Sequence, residues 1–181
     1  MKKLLFVAML VVSISSLSLA QRVLINKGDQ YAGVKLALGS VAGASMGFIG
    51  SYEMGFQENI GIGGAIAYSG YSEEISTGFY NGNWSYTNIL ILASGNYHID
   101  LLKNEKLDTW GALNIGYNVA SVSWEFTKNS FNVPAPATIS AGGFVVGLSA
   151  NARYQLTEQL YATGSLGFGL GILNIGIDYK L

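Results

Sequence analysis

His98 is the most obvious candidate for catalytic or metal-binding chemistry. It is the single histidine, and the chain has no cysteine, so a transition-metal site would lack most of its usual ligands. A serine–histidine–acid triad would have to combine His98 with an acid such as Asp100 and one of many serines. We expect His98 instead to pair with a backbone group or a buried carboxylate. The sequence therefore predicts no catalytic residue, no metal site and no bound cofactor.

A second group of candidates consists of four charged side chains: Lys35, Glu53, Arg153 and Asp178. Each lies among glycine and other small residues in a segment where apolar side chains alternate with small or polar ones. Charges in a narrow interior need opposite partners, because desolvation without pairing is costly. We predict that the four residues form an ion-pair cluster that fills an interior. A gate, in which rearranged pairs open a path, is the alternative.

The segments that carry these residues have a period of two. Residues 46–56 alternate Met, Phe, Tyr, Met and Phe with small or polar residues, and only Ile49 and Gly50 interrupt the pattern. Residues 144–154 and 173–180 alternate in the same way. A period of two over about ten residues is typical of a β-strand. The whole chain divides into eight such segments, near 30–39, 45–56, 60–71, 84–98, 108–126, 141–155, 160–169 and 172–181.

The first twenty residues have the layout of a secretory signal peptide. Lys2 and Lys3 precede a short apolar run, and Ser18 and Ala20 stand at positions −3 and −1 of a cleavage site. This predicts a signal peptide at 1–20 and one exported domain at 21–181, whereas a short membrane anchor is the alternative. Without the two lysines, eight of the ten basic residues remain against eleven acidic ones. No basic cluster is present, so nucleic acid is not an expected partner.

The apolar faces of the strands indicate a barrel surrounded by lipid. Only 12% of residues are charged, whereas a water-facing surface carries roughly 25–35%. Small residues on the other face suit the narrow interior of eight strands. We therefore predict an all-β, eight-stranded antiparallel up-and-down transmembrane β-barrel, with a soluble lipocalin-type carrier as the alternative. Aromatic residues near strand ends fit interfacial girdles: Tyr31, Trp84, Tyr86, Tyr97, Trp110, Tyr154 and Tyr179.

The connections between strands alternate in length. Short polar turns at 58–59, 101–106 and 157–159 are expected on the periplasmic side, and longer segments at 72–83 and 127–140 are expected as extracellular loops. His98, beside the turn at 101–106, would then lie far from the outer leaflet. Exposed aromatic side chains suit contact with partners. The candidates in or beside these loops are Tyr71, Phe79, Tyr80, Trp84 and Phe131.

Two stretches also resemble a known family. The segment SYTNILILASGNYHID at 85–100 is followed by KLDTWGALNIGYNVAS at 106–121, and the chain closes on LNIGIDYKL. Their aromatic–His pair, polar turn and aromatic–Gly strand are similar to the outer membrane protein β-barrel domain family, the small OmpA/OmpX-type barrels. The resemblance implies a bacterial outer-membrane location, contact with outer-membrane lipid, and recognition of the final strand by the barrel-assembly machinery. Such barrels usually end on an aromatic residue, whereas this chain ends on Leu181 and keeps Tyr179 two positions earlier.

These observations favour a structural or interaction role over catalysis. Eight strands leave an interior just wide enough for side chains to fill, which argues against a general porin. We expect a barrel with a closed lumen that presents its extracellular loops to an unknown partner. The alternatives are a narrow gated channel for ions or small apolar solutes and, less favoured, a lipid-modifying barrel enzyme.

Overall fold

The structure, a computed structural model, describes residues 22–76, 80–129 and 134–181. No helix in these ranges is long and apolar enough to cross a membrane. The described part contains eight strands: β1 Gln30–Val41, β2 Ala44–Gln57, β3 Ile60–Ser76, β4 Tyr80–His98, β5 Leu107–Asn129, β6 Ile139–Gln155, β7 Leu160–Phe168 and β8 Leu173–Lys180.

The eight strands close into a barrel. Each strand pairs antiparallel with the next, and β8 pairs with β1 in a register that runs from Tyr31 opposite Lys180 to Leu38 opposite Leu173. Closure gives every strand two neighbours around the ring. The predicted eight-stranded antiparallel up-and-down barrel is confirmed.

The two ends of the barrel differ. The terminal end carries the start of β1, the end of β8 and the connections after β2, β4 and β6. The loop end carries the connections after β1, β3, β5 and β7. At the terminal end, residues 22–29 fold across the opening, where Ile25 is fully buried. The Asn59 amide donates to the Ile25 carbonyl at 3.0 Å, and the Gly55 amide donates to the Asp29 carbonyl at 2.8 Å.

Most of the predicted extracellular loop at 72–83 is strand, so that prediction was wrong. β3 continues to Ser76, which lies opposite Asn81 of β4. The predicted loop at 127–140 is also shortened at both ends, since β5 reaches Asn129 and β6 begins at Ile139. The ladder of backbone hydrogen bonds continues through the polar residues of these stretches, so their loop-like composition did not mark the ends of the strands.

The wall has an apolar outer face and a polar or small inner face. Phe48 of β2 and Phe144 of β6 face outward and are 62% and 72% exposed, which suits contact with lipid. Gly47 and Glu53 of β2 face inward and are buried. Ile49, which interrupts the alternation in the sequence, points inward as well. Small side chains thus face the lumen, as the period predicts.

The predicted aromatic girdles are correct for only part of the set. Tyr154 and Tyr179 face outward and are 43% and 44% exposed, but Tyr31 and Trp110 are buried in the lumen. Four residues assigned to girdles share the parity of inward-facing neighbours in their strands: Tyr31, Trp84, Tyr86 and Trp110. The odd or even position of these residues along their strands therefore indicated their orientation better than their proximity to a strand end did.

The lumen is filled in layers. Charged side chains lie near the terminal end, and polar side chains surround a cavity above them. Closer to the loop end, an apolar layer closes the lumen. The layer consists of Ala37, Val41, Ile49, Ala67, Leu90 and Leu92. These buried side chains come from β1–β4, and two partly buried residues from the other half of the ring, Val145 of β6 and Leu170 after β7, pack against them.

Candidate functional site

Four side chains form a closed charge ring in the lumen: Glu53 of β2, His98 of β4, Asp108 of β5 and Arg153 of β6. Arg153 Nη1 donates to Glu53 Oε2 at 2.9 Å, and Arg153 Nη2 forms an ion pair with Asp108 Oδ2 at 2.6 Å. On the other side, His98 Nε2 lies 3.0 Å from Glu53 Oε1 and His98 Nδ1 lies 2.7 Å from Asp108 Oδ1. Each cation therefore bridges both carboxylates.

The geometry of the charge ring links the protonation state of His98 to the charges of its two partners. An ionised carboxylate only accepts hydrogen bonds, and both ring nitrogens of His98 face carboxylate oxygens. With Glu53 and Asp108 ionised, both nitrogens must donate, so His98 is an imidazolium. The charge ring then contains two positive and two negative charges. This balance is what allows four ionised groups to be buried together, since an unpaired buried charge is strongly destabilising.

Aromatic side chains hold the charge ring in place. The guanidinium carbon of Arg153 lies 3.5 Å from the centroid of the Tyr31 ring and 5.0 Å from that of Trp110. Trp110 also stacks on His98 at 5.2 Å with 19° between the planes. The Asn96 amide donates to Glu53. Arg153 and His98 have 1% and 0% of their side chains exposed, so the packing leaves them little freedom to reorient.

The structure places the four predicted charged residues in two separate arrangements. Glu53 and Arg153 belong to the charge ring, whereas Lys35 and Asp178 form their own pair at 3.4 Å between β1 and β8. Sequence reasoning did not assign Asp108 to the cluster. The signal was its parity, because Asp108 shares a face with Trp110 and lies directly opposite Arg153.

The triad geometry considered for His98 is absent. Asp100 forms an ion pair with Arg22 at 3.6 Å, while His98 is engaged by Glu53 and Asp108. Within the described ranges, no group of three His, Asp or Glu side chains is arranged to hold a metal ion. The chemistry available to these residues in this arrangement is mutual charge neutralisation.

Two cavities lie on either side of the Arg153–Tyr31 contact. The inner cavity, of about 80 Å³, lies between the charge ring and the apolar layer and is lined in part by Lys35 and Asp178. The outer cavity, of about 210 Å³, lies beneath residues 22–29 at the terminal end. Both cavities are lined by Tyr31 and Arg153. The Arg153–Tyr31 contact therefore forms part of the boundary of both.

A second feature lies at the loop end, where four strands continue past their neighbours. The pairing of β2 with β3 ends at Gly47 opposite Ser69, and that of β6 with β7 ends at Leu148 opposite Phe168. Beyond these points residues 70–76, 80–87, 121–129 and 139–147 form what we call the projecting sheet. The seven further residues of β3 add roughly 23 Å of strand, at about 3.3 Å per residue.

The inner face of the projecting sheet carries five aromatic residues, which we call the aromatic platform: Tyr71, Trp84, Tyr86, Trp124 and Phe126. Tyr71 and Tyr86 are stacked, with ring centroids 4.5 Å apart and planes at 6°. The Trp124 centroid lies 5.0 Å from that of Trp84 and 5.4 Å from that of Phe126. These residues come from three adjacent strands, so they form one continuous surface.

The aromatic platform contains two of the predicted loop contacts, Tyr71 and Trp84. Phe79 and Phe131 lie outside the described residues, as does the side chain of Tyr80, whose backbone begins β4. Sequence reasoning did not single out Trp124 or Phe126. Both residues share the inward face of β5 with Val122, because alternate residues of a strand face the same side. This alternation was the available signal.

Comparison with known proteins supports the fold. No protein-family model and no curated protein matches this chain. A designed transmembrane β-barrel matches with a TM-score of 0.54 and 12% identity over 90% of this chain and 100% of that chain. The N-terminal β-barrel domain of OprF from Pseudomonas aeruginosa has a TM-score of 0.47 and 12% identity, over 86% of this chain and 98% of that one. The attachment invasion locus protein Ail of Yersinia pestis has a TM-score of 0.44 and 17% identity, over 85% and 96% of the two chains.

The chain described here is an eight-stranded transmembrane β-barrel. The predicted resemblance to small membrane barrels is confirmed at the level of the fold.

Proposed function

We propose that this chain is a bacterial outer-membrane barrel with a structural or interaction role, which presents the projecting sheet at the cell surface. The observation that carries this proposal is a mismatch in strand length. A tilted strand needs about 9–11 residues to cross a bilayer, and β7 has 9, whereas β5 has 23. The additional residues of β3, β4, β5 and β6 build a surface that spanning the membrane does not require.

The filled lumen supports a closed barrel. The charge ring and the apolar layer occupy the interior at two different heights, and eight strands leave little space for a pore. Residues 22–29 add a further cover at the terminal end. His98 is held by carboxylates at both ring nitrogens, so it lacks a free nitrogen with which to act as a general base. These contacts favour a barrel without enzymatic activity.

The proposed orientation follows from the lengths of the two ends. The terminal end, with its short turns, would face the periplasm, and the projecting sheet would face outward. Lipid would cover the apolar outer face, and the barrel-assembly machinery would engage β8 through its outward-facing side chains, including Tyr179. Any partner at the cell surface would meet the projecting sheet before it reached the barrel wall.

Membrane fractionation and a hairpin deletion test this proposal. A closed membrane barrel should appear in the outer-membrane fraction and migrate differently on a gel before and after boiling. Residues 73–84 can then be replaced by an Asn-Gly turn, because Ser72 and Ser85 remain opposite each other in the ladder. We expect this variant to keep the shift on boiling and to lose binding of the bacteria to surfaces or host cells. A soluble periplasmic protein without the shift would contradict the proposal.

A narrow gated channel is the second candidate, because Arg153 and Tyr31 line both cavities. Recordings in planar bilayers distinguish the candidates. A closed barrel should give no steady single-channel steps. Steady steps from the purified barrel would favour the channel and refute the closed lumen.

A further inference from the structure

One carboxylate lies on the same face as the aromatic platform. On β3 the inward-facing positions include Ser69, whose hydroxyl donates to the Val41 carbonyl inside the lumen at 2.9 Å. Tyr71 and Glu73 follow with the same parity. Glu73 lies directly opposite Trp84 in the ladder and is close enough to Tyr86 to act on it electrostatically. Glu73 is exposed, so its charge is available at the surface of the platform.

Aromatic rings beside a carboxylate are suited to a cation. The faces of Trp and Tyr rings attract ammonium and especially guanidinium groups, and a nearby carboxylate adds a charge-assisted hydrogen bond. The barrel already contains such an arrangement, since Arg153 lies over Tyr31 while it is bound by Glu53.

The net charge of the projecting sheet also favours a cationic ligand. Its charged residues are Glu73, Glu74, Glu125 and Lys128, so the excess is negative. A negative surface disfavours polyanions and attracts basic partners.

The strands of the barrel wall opposite the aromatic platform are short at the loop end. β1 ends at Val41, β7 ends at Phe168 and β8 begins at Leu173, so none of them reaches the height of the projecting sheet. We propose that the aromatic platform and Glu73 bind a cationic segment of a partner protein, with its Arg or Lys side chains placed against Trp84 and Tyr86. This inference rests on the proposed interaction role and specifies the chemistry of the partner.

Titration of the purified full-length barrel in neutral detergent tests the proposal. The probes are hexa-arginine, hexa-glutamate and the neutral sugar maltohexaose, and the readout is tryptophan fluorescence. Trp84 and Trp124 lie in the aromatic platform, while Trp110 is buried in the lumen and gives a constant background. We expect only hexa-arginine to change the fluorescence, with an affinity that falls as salt is added.

Glu73 and Glu74 provide a matched pair of variants. Glu73→Gln and Glu74→Gln remove the same charge from neighbouring residues on opposite faces of β3. Glu73→Gln should raise the Kd for hexa-arginine about fivefold, as expected for loss of a surface ion pair worth about 1 kcal/mol. Glu74→Gln should change it less than about twofold, as expected for a screened charge on the far face. Trp84→Ala should also weaken binding, and the shift on boiling verifies that each variant folds.

Three results would overturn this inference. Equal effects of Glu73→Gln and Glu74→Gln would mean that general surface charge attracts the peptide. Binding of maltohexaose without binding of hexa-arginine would identify the platform as a sugar site. Absence of binding by hexa-arginine would remove the cationic partner, while the proposed interaction role would stand or fall separately on the loss of cell binding by the 73–84 deletion.

Discussion

Arg153→Met should destabilise the barrel more than most single substitutions. Arg153 has 1% of its side chain exposed and pairs with both Glu53 and Asp108. Its removal would leave two buried carboxylates with His98 as their only cation, so the charge ring would carry one uncompensated negative charge. Removing one partner from a buried ion pair typically costs about 3–5 kcal/mol. We expect a loss of that size in the free energy of unfolding.

A double variant separates charge imbalance from lost packing. Glu53→Gln combined with Arg153→Met leaves Asp108 opposite His98, with one charge of each sign. Because replacing a whole buried pair is often far less costly than breaking it, the double variant should be about 2 kcal/mol more stable than Arg153→Met alone. A second substitution in the same buried cluster would thus restore stability, which simple additivity does not predict.

Urea unfolding of the barrel in lipid vesicles, followed by tryptophan fluorescence, measures both differences. Trp110 stacks on His98, so its emission also responds to the state of the charge ring. The reasoning fails if Arg153→Met costs less than about 1 kcal/mol, well below the range for a broken buried pair. It fails equally if the double variant is no more stable than Arg153→Met.

Two further predictions concern the segment at 22–29. A Cβ atom at Gly55 would overlap the Asn26 carbonyl oxygen, so Gly55→Ala should displace this segment and speed its hydrogen exchange. Gly50→Ala should have no such effect, because a Cβ atom there has nothing within 4 Å. Burial raises the pKa of Asp29, but hydrogen bonds from Lys180 and the Asn26 backbone amide, together with the charge of Lys180, outweigh this and hold the pKa below its ordinary value. A lowered pKa means that the ionised form stabilises the fold above the ordinary pKa and that the benefit disappears as pH falls through the lowered one. Asp29→Asn should therefore cost up to about 1 kcal/mol at neutral pH and nothing in strong acid, and equal thermal shifts at both pH values would contradict this assignment.

The strand count and the two faces of the wall were predictable because period two survives along almost every segment. The boundaries of β3, β4 and β5 at the loop end were not predictable, because the glycine, asparagine and serine near residues 72–83 have the composition of loops. Their strand character comes from pairing that the sequence shows only weakly. The alternation of inward and outward positions was the useful signal, because Tyr71, Trp84 and Tyr86 continue the inward face of their strands into the projecting sheet.

The candidate site was predictable in part. The face of Glu53 and Arg153 follows from alternation, but their contact does not, because it joins β2 and β6 across the lumen. Lys35 and Asp178 were easier to connect, since β1 and β8 must be neighbours in any closed eight-stranded barrel. The role of His98 depended on Asp108, which the sequence presents as one more acid beside a polar turn.

The charge ring also has a consequence for folding. β2 and β6 are four strands apart whichever way the barrel is followed, so in an open sheet they would be roughly 19 Å from each other, at about 4.8 Å per strand. Glu53 and Arg153 come into contact when the sheet curls and β1 pairs with β8. Before closure, Arg153 could still pair with Asp108 on the neighbouring strand, but Glu53 would lack its contact with Arg153. The charge ring is therefore completed only as the barrel closes, so electrostatic attraction adds to the pairing of β1 with β8 in favouring the closed state.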